Sequence, residues 1–371
     1  MLFRHKLPTL MALITLLGAG LFNTAYAQEP LPVVATFSIL GDMVENIGGD
    51  AVEVTTMVGR NGDTHVYQPT PTDAKAVKRA SLMFTNGLEF EGWLERLAEA
   101  AEFDGTTVVT TDGLDVIAME EHGDEHDDDH EGEKHEEDEH HEGDHEGEKH
   151  EEDEHHDGDH EDEKHEEDEH HDDEHSDAEG HDDENGHHDH HHGEFDPHGW
   201  LSLQNAIVYV DNITEALAKA MPDKASLFYQ NRAAYLGKAD SLNQEIKSRI
   251  AALPESARTI VTSHDAFQYF GREYGLTFLA PQGLSTESEA SAKDVAELIE
   301  QIRDESIAAV FVENVADPRL LEQIARETGS AIGGKLFPGA LSESDGPANT
   351  YLELMRHNAT TIVDALSESK L

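Results

Sequence analysis

The chain contains 371 residues, of which 80 are Asp or Glu and 25 are Lys or Arg, and its formal net charge is −55. Because such an acidic surface repels phosphate groups, the composition argues against a protein that binds nucleic acid or anionic membrane surfaces and favours cations as partners. The sequence contains no cysteine, so disulfides are excluded and any metal site must use His, Asp or Glu.

The first 27 residues have the organisation of an export signal. Basic residues 4–6 precede a short apolar run at 10–22, and Ala-Tyr-Ala at 25–27 has the small residues of a cleavage site. The apolar run is shorter than the roughly 20 residues that span a bilayer. We therefore expect a signal peptide over residues 1–27 and a mature chain that begins at Gln28, is not membrane-embedded and lies in the periplasm of a Gram-negative bacterium.

The next segment alternates short apolar runs, typical of buried strands, with amphipathic runs, typical of helices. The predicted strands are 32–37, 52–58, 82–84 and 107–109, and the predicted helices are 39–47, 73–79 and 93–101. Further along, Asp196 and Pro197 are a favourable helix N-cap and first helical residue, which predicts a helix from there to about residue 220. Together these elements predict an N-terminal lobe over residues 28–220.

Residues 120–193 interrupt this lobe. This segment holds 21 of the 26 histidines and 39 of the acidic residues, has no large apolar side chain, and repeats a 15-residue pattern that starts at residues 130, 145 and 160. Because the segment has no apolar surface to bury and carries dense like charge, we expect a disordered loop.

Two interpretations of this His-rich segment remain open. It is either a solvated acidic linker or a weak, multi-site zinc collector, since imidazole and carboxylate both bind borderline divalent metals. Pure acidity would serve solubility but gives no reason for so many histidines. Because imidazole binds metal only when it is neutral, we expect capture by the segment to fail as the pH falls through roughly 6.5.

A long helix and a second alternating region follow. Residues 224–252 contain no proline and one glycine, which predicts a single helix linking two lobes at residues 221–253. The C-terminal lobe, 254–371, is predicted to contain strands 259–262, 276–279, 307–312 and 331–332, and helices 266–274, 291–303, 318–328 and 349–366. The predicted fold class is therefore α/β, with two lobes that each have a mostly parallel sheet flanked by helices, joined by one long helix and carrying a disordered His-rich insertion.

Five histidines lie outside the insertion. His5 belongs to the signal, and His357 falls in the terminal helix, where we expect a surface position. His65 and His264 follow predicted strands in different lobes, at the strand ends where open α/β sheets bind ligands. His198 lies at a predicted helix start. Three imidazoles at such positions indicate one shared metal site.

Four segments carry a resemblance to a known family. They are NGDTHVYQPTP at 61–71, FDPHGWLS at 195–202, SHDAFQYF at 263–270 and DGPANTYLELMRHN at 345–358. In this order they resemble the zinc-binding members of the metal ABC-transporter solute-binding proteins, of the ZnuA and AztC type, over essentially the whole mature chain. The place of the His-rich insertion, between the first two of these segments, is similar too.

This resemblance implies a ligand set. It implies that His65, His198 and His264 bind the metal and that Asp345 supplies a carboxylate as the fourth ligand, with water in that position if Asp345 does not bind. Three imidazoles and one carboxylate would fill the tetrahedral shell that zinc prefers, and the imidazole-rich set favours zinc over manganese. Because catalytic zinc keeps an open position, a filled shell argues against an enzyme.

The function that the resemblance implies is the periplasmic, high-affinity zinc-binding component of an ABC importer. Such a protein would act as a monomer, bind one Zn²⁺ between its lobes and deliver it to a membrane permease driven by an ATPase subunit. The alternative is a periplasmic zinc buffer or chaperone that acts mainly through residues 120–193. Because the long helix should act as a stiff strut, we expect modest closure on metal binding.

Three carboxylates near the candidate ligands have two possible roles each. Asp196 could orient His198, although capping the following helix is the simpler interpretation. Asp265 has the same ambiguity beside His264. Glu313, at the end of a predicted strand, is placed like a functional carboxylate, but accepting hydrogen bonds from backbone groups or an arginine is the simpler interpretation.

Overall fold

A computed structural model describes residues 29–118, 194–307 and 309–368. The predicted signal peptide, residues 1–27, and the predicted disorder of residues 120–193 lie outside the described residues. Within the described ranges, no helix combines the length and the apolar character needed to cross a membrane.

The N-terminal lobe is built on a four-stranded parallel sheet in the order β2-β1-β3-β4. Its strands are β1 (Leu31–Phe37), β2 (Val52–Val58), β3 (Leu82–Thr85) and β4 (Thr106–Val109), and its helices are α1 (Ser38–Gly48), α2 (Pro71–Arg79), α3 (Leu94–Ala100) and α4 (Ala206–Ala220). The central strand β1 is buried from Val33 to Phe37, which explains its unbroken apolar run. Helix α2 begins with a capping box between Thr70 and Asp73.

The predicted long helix is present as α5 (Ala225–Ala251). It contacts α1 and α4 of the N-terminal lobe as well as α6 (Gln268–Tyr274) and α9 (Tyr351–Glu368) of the C-terminal part of the chain. Its buried apolar side chains recur every three to seven residues; they are Phe228, Tyr235, Ala239, Leu242, Ile246 and Ile250. A single helix therefore supplies core residues to both lobes.

The C-terminal lobe repeats the architecture of the first. Its parallel sheet has the order β6-β5-β7-β8, so the first strand again pairs with the second and third. The strands are β5 (Thr259–Val261), β6 (Thr277–Leu279), β7 (Ala309–Glu313) and β8 (Ala331–Leu336), and the remaining helices are α7 (Ala292–Glu305) and α8 (Arg319–Thr328). The predicted fold class, two parallel-sheet lobes joined by one long helix, is confirmed.

One apolar core runs through both lobes. It includes buried side chains of β1, α1, α5 and α9, whereas a second, smaller cluster lies between α7, α8 and strands β5 and β7. Hydrogen bonds reinforce the junction: the Trp200 indole donates to the carbonyl of Pro338 at 2.7 Å, and the Tyr351 hydroxyl donates to the carbonyl of Trp200 at 2.5 Å. The lobes are therefore packed together rather than only linked.

The helix predicted from Asp196 begins later than expected. A short 3₁₀ turn occupies Gly199–Leu201, and α4 starts only at Ala206. The Asp196 side chain accepts the backbone N–H of His198 at 2.9 Å, which forms a local turn in place of a helix cap. The predicted N-cap role of Asp196 is therefore wrong, and its carboxylate is available to the His198 side chain.

Candidate metal centre

Three histidines from distant parts of the chain converge at one point. His65, His198 and His264 each offer a ring nitrogen, and these atoms lie within 4.8 Å of one another. The ring centroids are 5.4 Å apart for His65 and His198, 5.9 Å for His65 and His264, and 5.4 Å for His198 and His264. Separations of this size allow one ion to contact all three rings.

The ring of His198 is oriented by a buried carboxylate. Its Nδ1 lies 2.8 Å from Oδ1 of Asp196, and both side chains are buried. The opposite ring nitrogen, Nε2, is buried without a hydrogen-bond partner among the described residues. Since buried polar atoms are nearly always paired, this free nitrogen fits a ligand to a metal ion.

His264 is oriented in the same way from the other lobe. It follows β5, and Glu313 ends the neighbouring strand β7, with its Oε2 at 2.5 Å from Nδ1 of His264. Oε1 of Glu313 also accepts the backbone N–H groups of Ser263 at 2.9 Å and His264 at 3.2 Å. Glu313 is thus a backbone acceptor, as predicted, and it also fixes the ring of the histidine. Asp265 instead accepts a hydrogen bond from Gln268.

His65 lies on the loop after β2 and is the least buried of the three. Its backbone N–H donates to Oδ1 of Asp63 at 3.0 Å, while Oδ2 of Asp63 accepts from the Thr286 hydroxyl at 2.5 Å. The indole of Trp93 donates to the carbonyl of Thr64 at 3.0 Å. The loop is therefore held by a contact to each lobe.

Aromatic side chains form one wall of the centre. Phe90 lies edge-on to His65 at 4.8 Å between ring centroids, and it also contacts His198 and Trp200. Phe37 packs behind Trp200 at 4.9 Å. The sequence did not predict a role for Phe90, because the residues next to it along the chain do not indicate contact with two histidines. Phe90 and Trp200 are both buried, and an apolar wall of this kind lowers the local dielectric.

Burial and charge set the protonation of the three rings. Burial, together with the neighbouring imidazoles, holds the pKa of His65 and of His198 well below 6.5. Burial opposes a charge on His264 too, but the adjacent Glu313 carboxylate outweighs it and raises the pKa of His264 above 6.5. Burial also raises the pKa of Asp196 to about 7. Two rings are therefore neutral and ready to bind metal, and the third holds a proton more firmly.

The structure does not bring Asp345 to this centre. Its side chain is exposed, on a turn closed by the hydrogen bond from the Gly346 N–H to the Glu343 carbonyl. Among the described residues, the group of converging ligand atoms consists of the three histidines and does not include Asp345. Arg60 holds the base of this turn by donating to the carbonyl of Ser342 at 2.7 Å. The turn thus bonds to itself and to the lobe junction, not to the imidazoles.

His357 lies apart from the centre as well. Its Nε2 is 3.0 Å from the carbonyl oxygen of Lys335, and its ring packs edge-on against Phe337. The ring is partly buried rather than fully at the surface.

The fold and the centre agree with comparisons to known proteins. The family model described as zinc-uptake complex component A, periplasmic, matches residues 33–365, and the chain belongs to this family. Members are substrate-binding proteins of transport systems, not enzymes. The chain is accordingly a metal-binding component of an ABC importer that acts outside the cytoplasm.

Curated relatives match along almost their whole length. The manganese-binding lipoprotein MntA of Bacillus subtilis is 29% identical over 363 residues, covering 96% of this chain and 97% of the relative. The manganese ABC transporter substrate-binding lipoprotein PsaA of Streptococcus pneumoniae serotype 4 is 26% identical over 375 residues, covering 98% and 99%.

Solved structures show the same fold. The periplasmic zinc-binding protein TroA of Treponema pallidum superposes with a TM-score of 0.69 at 26% identity, covering 91% of this chain and 99% of TroA. The Mn-bound periplasmic metal-binding protein of Candidatus Liberibacter asiaticus gives 0.66 at 28% identity, covering 90% and 98%. The relatives are thus named for different metals, and the metal of this chain must be argued from its own ligands.

Proposed function

We propose that this protein binds one Zn²⁺ through His65, His198 and His264 in the periplasm and delivers the ion to a membrane permease driven by an ATPase subunit. The observation that carries the proposal is the free, buried Nε2 of His198, which faces two other imidazoles. One monomer would bind the transported ion. It comprises the N-terminal lobe (28–220), the linking helix (221–253) and the C-terminal lobe (254–371).

The ligand set supports zinc over manganese. Three ring nitrogens approach one another, and no described carboxylate oxygen belongs to the same group. Imidazole suits zinc, whereas manganese favours carboxylate, carbonyl and water oxygens. With Asp345 exposed, water is the simplest fourth ligand, and it would complete a tetrahedral shell.

The accessibility of the three rings suggests a route for the ion. His198 and His264 are buried, whereas His65 is only partly so and is followed by Val66, whose side chain is 48% exposed. Zinc would enter and leave on the His65 side. The loop that carries His65 is then the part of the centre nearest to a docked permease.

Alanine substitutions test the proposal. His65→Ala, His198→Ala and His264→Ala should each weaken zinc binding at least about tenfold, measured by competition with a chromophoric chelator on protein lacking residues 120–193. His357→Ala is the matched control, because this ring lies outside the centre. Unchanged affinity in all three variants would rule out the centre as the zinc site.

A further inference from the structure

The two ends of the His-rich insertion meet beside the metal centre. Ala118 and Phe195 form an antiparallel bridge, and the N–H of Asp196 donates to the carbonyl of Ile117 at 2.9 Å. We refer to Ile117, Ala118, Phe195 and Asp196 as the clasp. The clasp brings the chain back to His198 immediately after the insertion.

One hydroxyl from the other lobe joins both sides of the clasp. The buried Tyr269, on α6, accepts the N–H of Ile117 at 3.1 Å and donates to the carbonyl of Asp196 at 3.0 Å. One turn later, Arg272 donates to the carbonyl of Asp115 at 2.9 Å, and its guanidinium lies over the Tyr269 ring at 5.0 Å. Helix α6 therefore holds both chain segments that flank the insertion.

The clasp also links two metal ligands that belong to different lobes. Asp196 orients His198 through its side chain, while its own carbonyl is held by Tyr269. Tyr269 is five residues beyond His264, on the helix that directly follows this ligand. The path from His198 to His264 thus runs through one carboxylate, one hydroxyl and one short segment of chain.

We propose that Tyr269 is a positioning residue for the metal centre: its hydroxyl fixes the clasp against α6 and thereby sets the place of His198 relative to His264. The inference rests on the proposed function, because it assigns Tyr269 to the same zinc site. The hydroxyl, and not the ring, carries this role, since both of its hydrogen bonds go to backbone groups of the clasp. Burial raises the pKa of Tyr269 to about 12, so the hydroxyl keeps its proton for Asp196 at neutral pH.

Tyr269→Phe in the full chain removes this hydroxyl alone. Tyr274→Phe is the control, because this buried tyrosine lies on the same helix and its hydroxyl makes no hydrogen bond to either side of the clasp. Zinc affinity, the visible absorption spectrum of the Co²⁺-loaded protein and the melting temperature of the metal-free protein are measured for each. The Co²⁺ spectrum reports ligand geometry and does not respond to a loss of stability alone.

We expect Tyr269→Phe to weaken zinc binding about tenfold and to change the Co²⁺ spectrum, while Tyr274→Phe leaves both unchanged. Wild-type affinity and spectrum in Tyr269→Phe would overturn the inference, as would an equal loss in both variants that follows only the melting temperature. If Tyr269→Phe does not fold, Arg272→Met must show a weaker change of the same kind. Failure of the proposed function is distinct, because the His198→Ala variant would then bind zinc as tightly as the wild-type chain.

Discussion

Buried carboxylates determine the orientation of two of the three imidazoles. Asp196 and Glu313 each contact the Nδ1 of a histidine, which leaves Nε2 as the ring nitrogen available to a metal ion. They differ in how they are held, because Glu313 also accepts two backbone N–H groups. A carboxylate behind a metal-bound imidazole fixes the ring and raises its basicity. Both effects strengthen a site built from neutral ligands.

Glu313→Gln removes the charge behind His264 but keeps the size of the side chain. We expect zinc affinity to fall about 10- to 100-fold, as measured by chelator competition, since the ring loses its fixed orientation and its negative partner. Glu343→Gln is the control, because Glu343 is exposed and bonds to Asn61. Affinity within about twofold of wild type in Glu313→Gln would show that this carboxylate does not act on the metal.

The opposite pKa shifts of the three rings predict how many protons zinc displaces. His65 and His198 have lowered pKa values and are already neutral at pH 6, whereas His264 has a raised pKa and holds its proton there. Asp196, behind His198, also holds a proton at pH 6, because burial raises its pKa to about 7. Zinc binding at pH 6 should therefore release about two protons, one from His264 and one from Asp196, and affinity should rise with pH until both pKa values are passed.

Calorimetry in buffers of different ionisation enthalpy measures this release on protein lacking residues 120–193. Three histidines with ordinary pKa values near 6.5 would release more than about two protons at pH 6 from the rings alone, and about three when Asp196 is included. A value that high would contradict the shifts.

At the scale of elements, the lobes meet where α1, α5 and α9 pack together. Asp42 of α1 accepts the first N–H of α9, from Tyr351, at 3.0 Å, and is itself buried. Burial raises its pKa from 3.8 to about 6, so its charged form is disfavoured in the folded protein. The stability that this group contributes is present below about pH 4 and is lost as the pH rises through about 6.

Asp42→Asn should therefore stabilise the protein at pH 8 and have little effect at pH 4. The expected gain in the free energy of unfolding at pH 8 is about 1–3 kcal/mol, because the amide keeps an acceptor for Tyr351 without the buried charge. Thermal unfolding at both pH values measures it, with the exposed Asp50→Asn as the control. A destabilised variant at pH 8 would show that the charge is needed at the junction.

Elements with a strong local pattern could be predicted from the sequence, and elements set by distant contacts could not. The apolar run of β1 is sufficient to predict a buried strand, and the proline-free stretch of α5 is sufficient to predict a long helix. Strand β8 was predicted to end at residue 332, but it continues to Leu336. Its Gly333 and Gly334 are typical of a turn, yet a Cβ at Gly333 would lie 2.5 Å from the ring of Phe311. The glycines allow β8 to pass close to its neighbours.

The same distinction applies to the candidate site, where some residues could be predicted from the local sequence and others could not. His65 and His264 could be found because they follow strands, and the structure brings both to His198. The orienting role of Asp196 and the contacts of Phe90 depend on chain segments that meet only in the folded protein. Only the resemblance of the segment 345–358 to a known family implies Asp345 as a ligand, and the residues next to it along the chain do not indicate that its turn bonds to Arg60 and to itself.

At the scale of the molecule, the continuous core limits how far the lobes can move. Apolar side chains of α5 and α9 belong to the same core as those of β1 and α1. Opening a wide hinge would expose this surface to water, which costs roughly 25 cal/mol per Å². Metal binding should therefore order loops near His65 without a large rotation of one lobe against the other.

X-ray scattering of protein lacking residues 120–193, with and without zinc, tests this expectation. The radius of gyration should be the same within error in the two states, because the strut and the core are common to both. A marked compaction on zinc binding would indicate a hinge that the packing does not suggest.

The most direct measurement of the zinc centre is metal analysis combined with competition titration on the protein lacking residues 120–193. We expect one Zn²⁺ per chain, bound far more tightly than Mn²⁺, and loss of this site in His264→Ala. Manganese binding as tight as zinc, or a stoichiometric zinc site that survives His264→Ala, would contradict it.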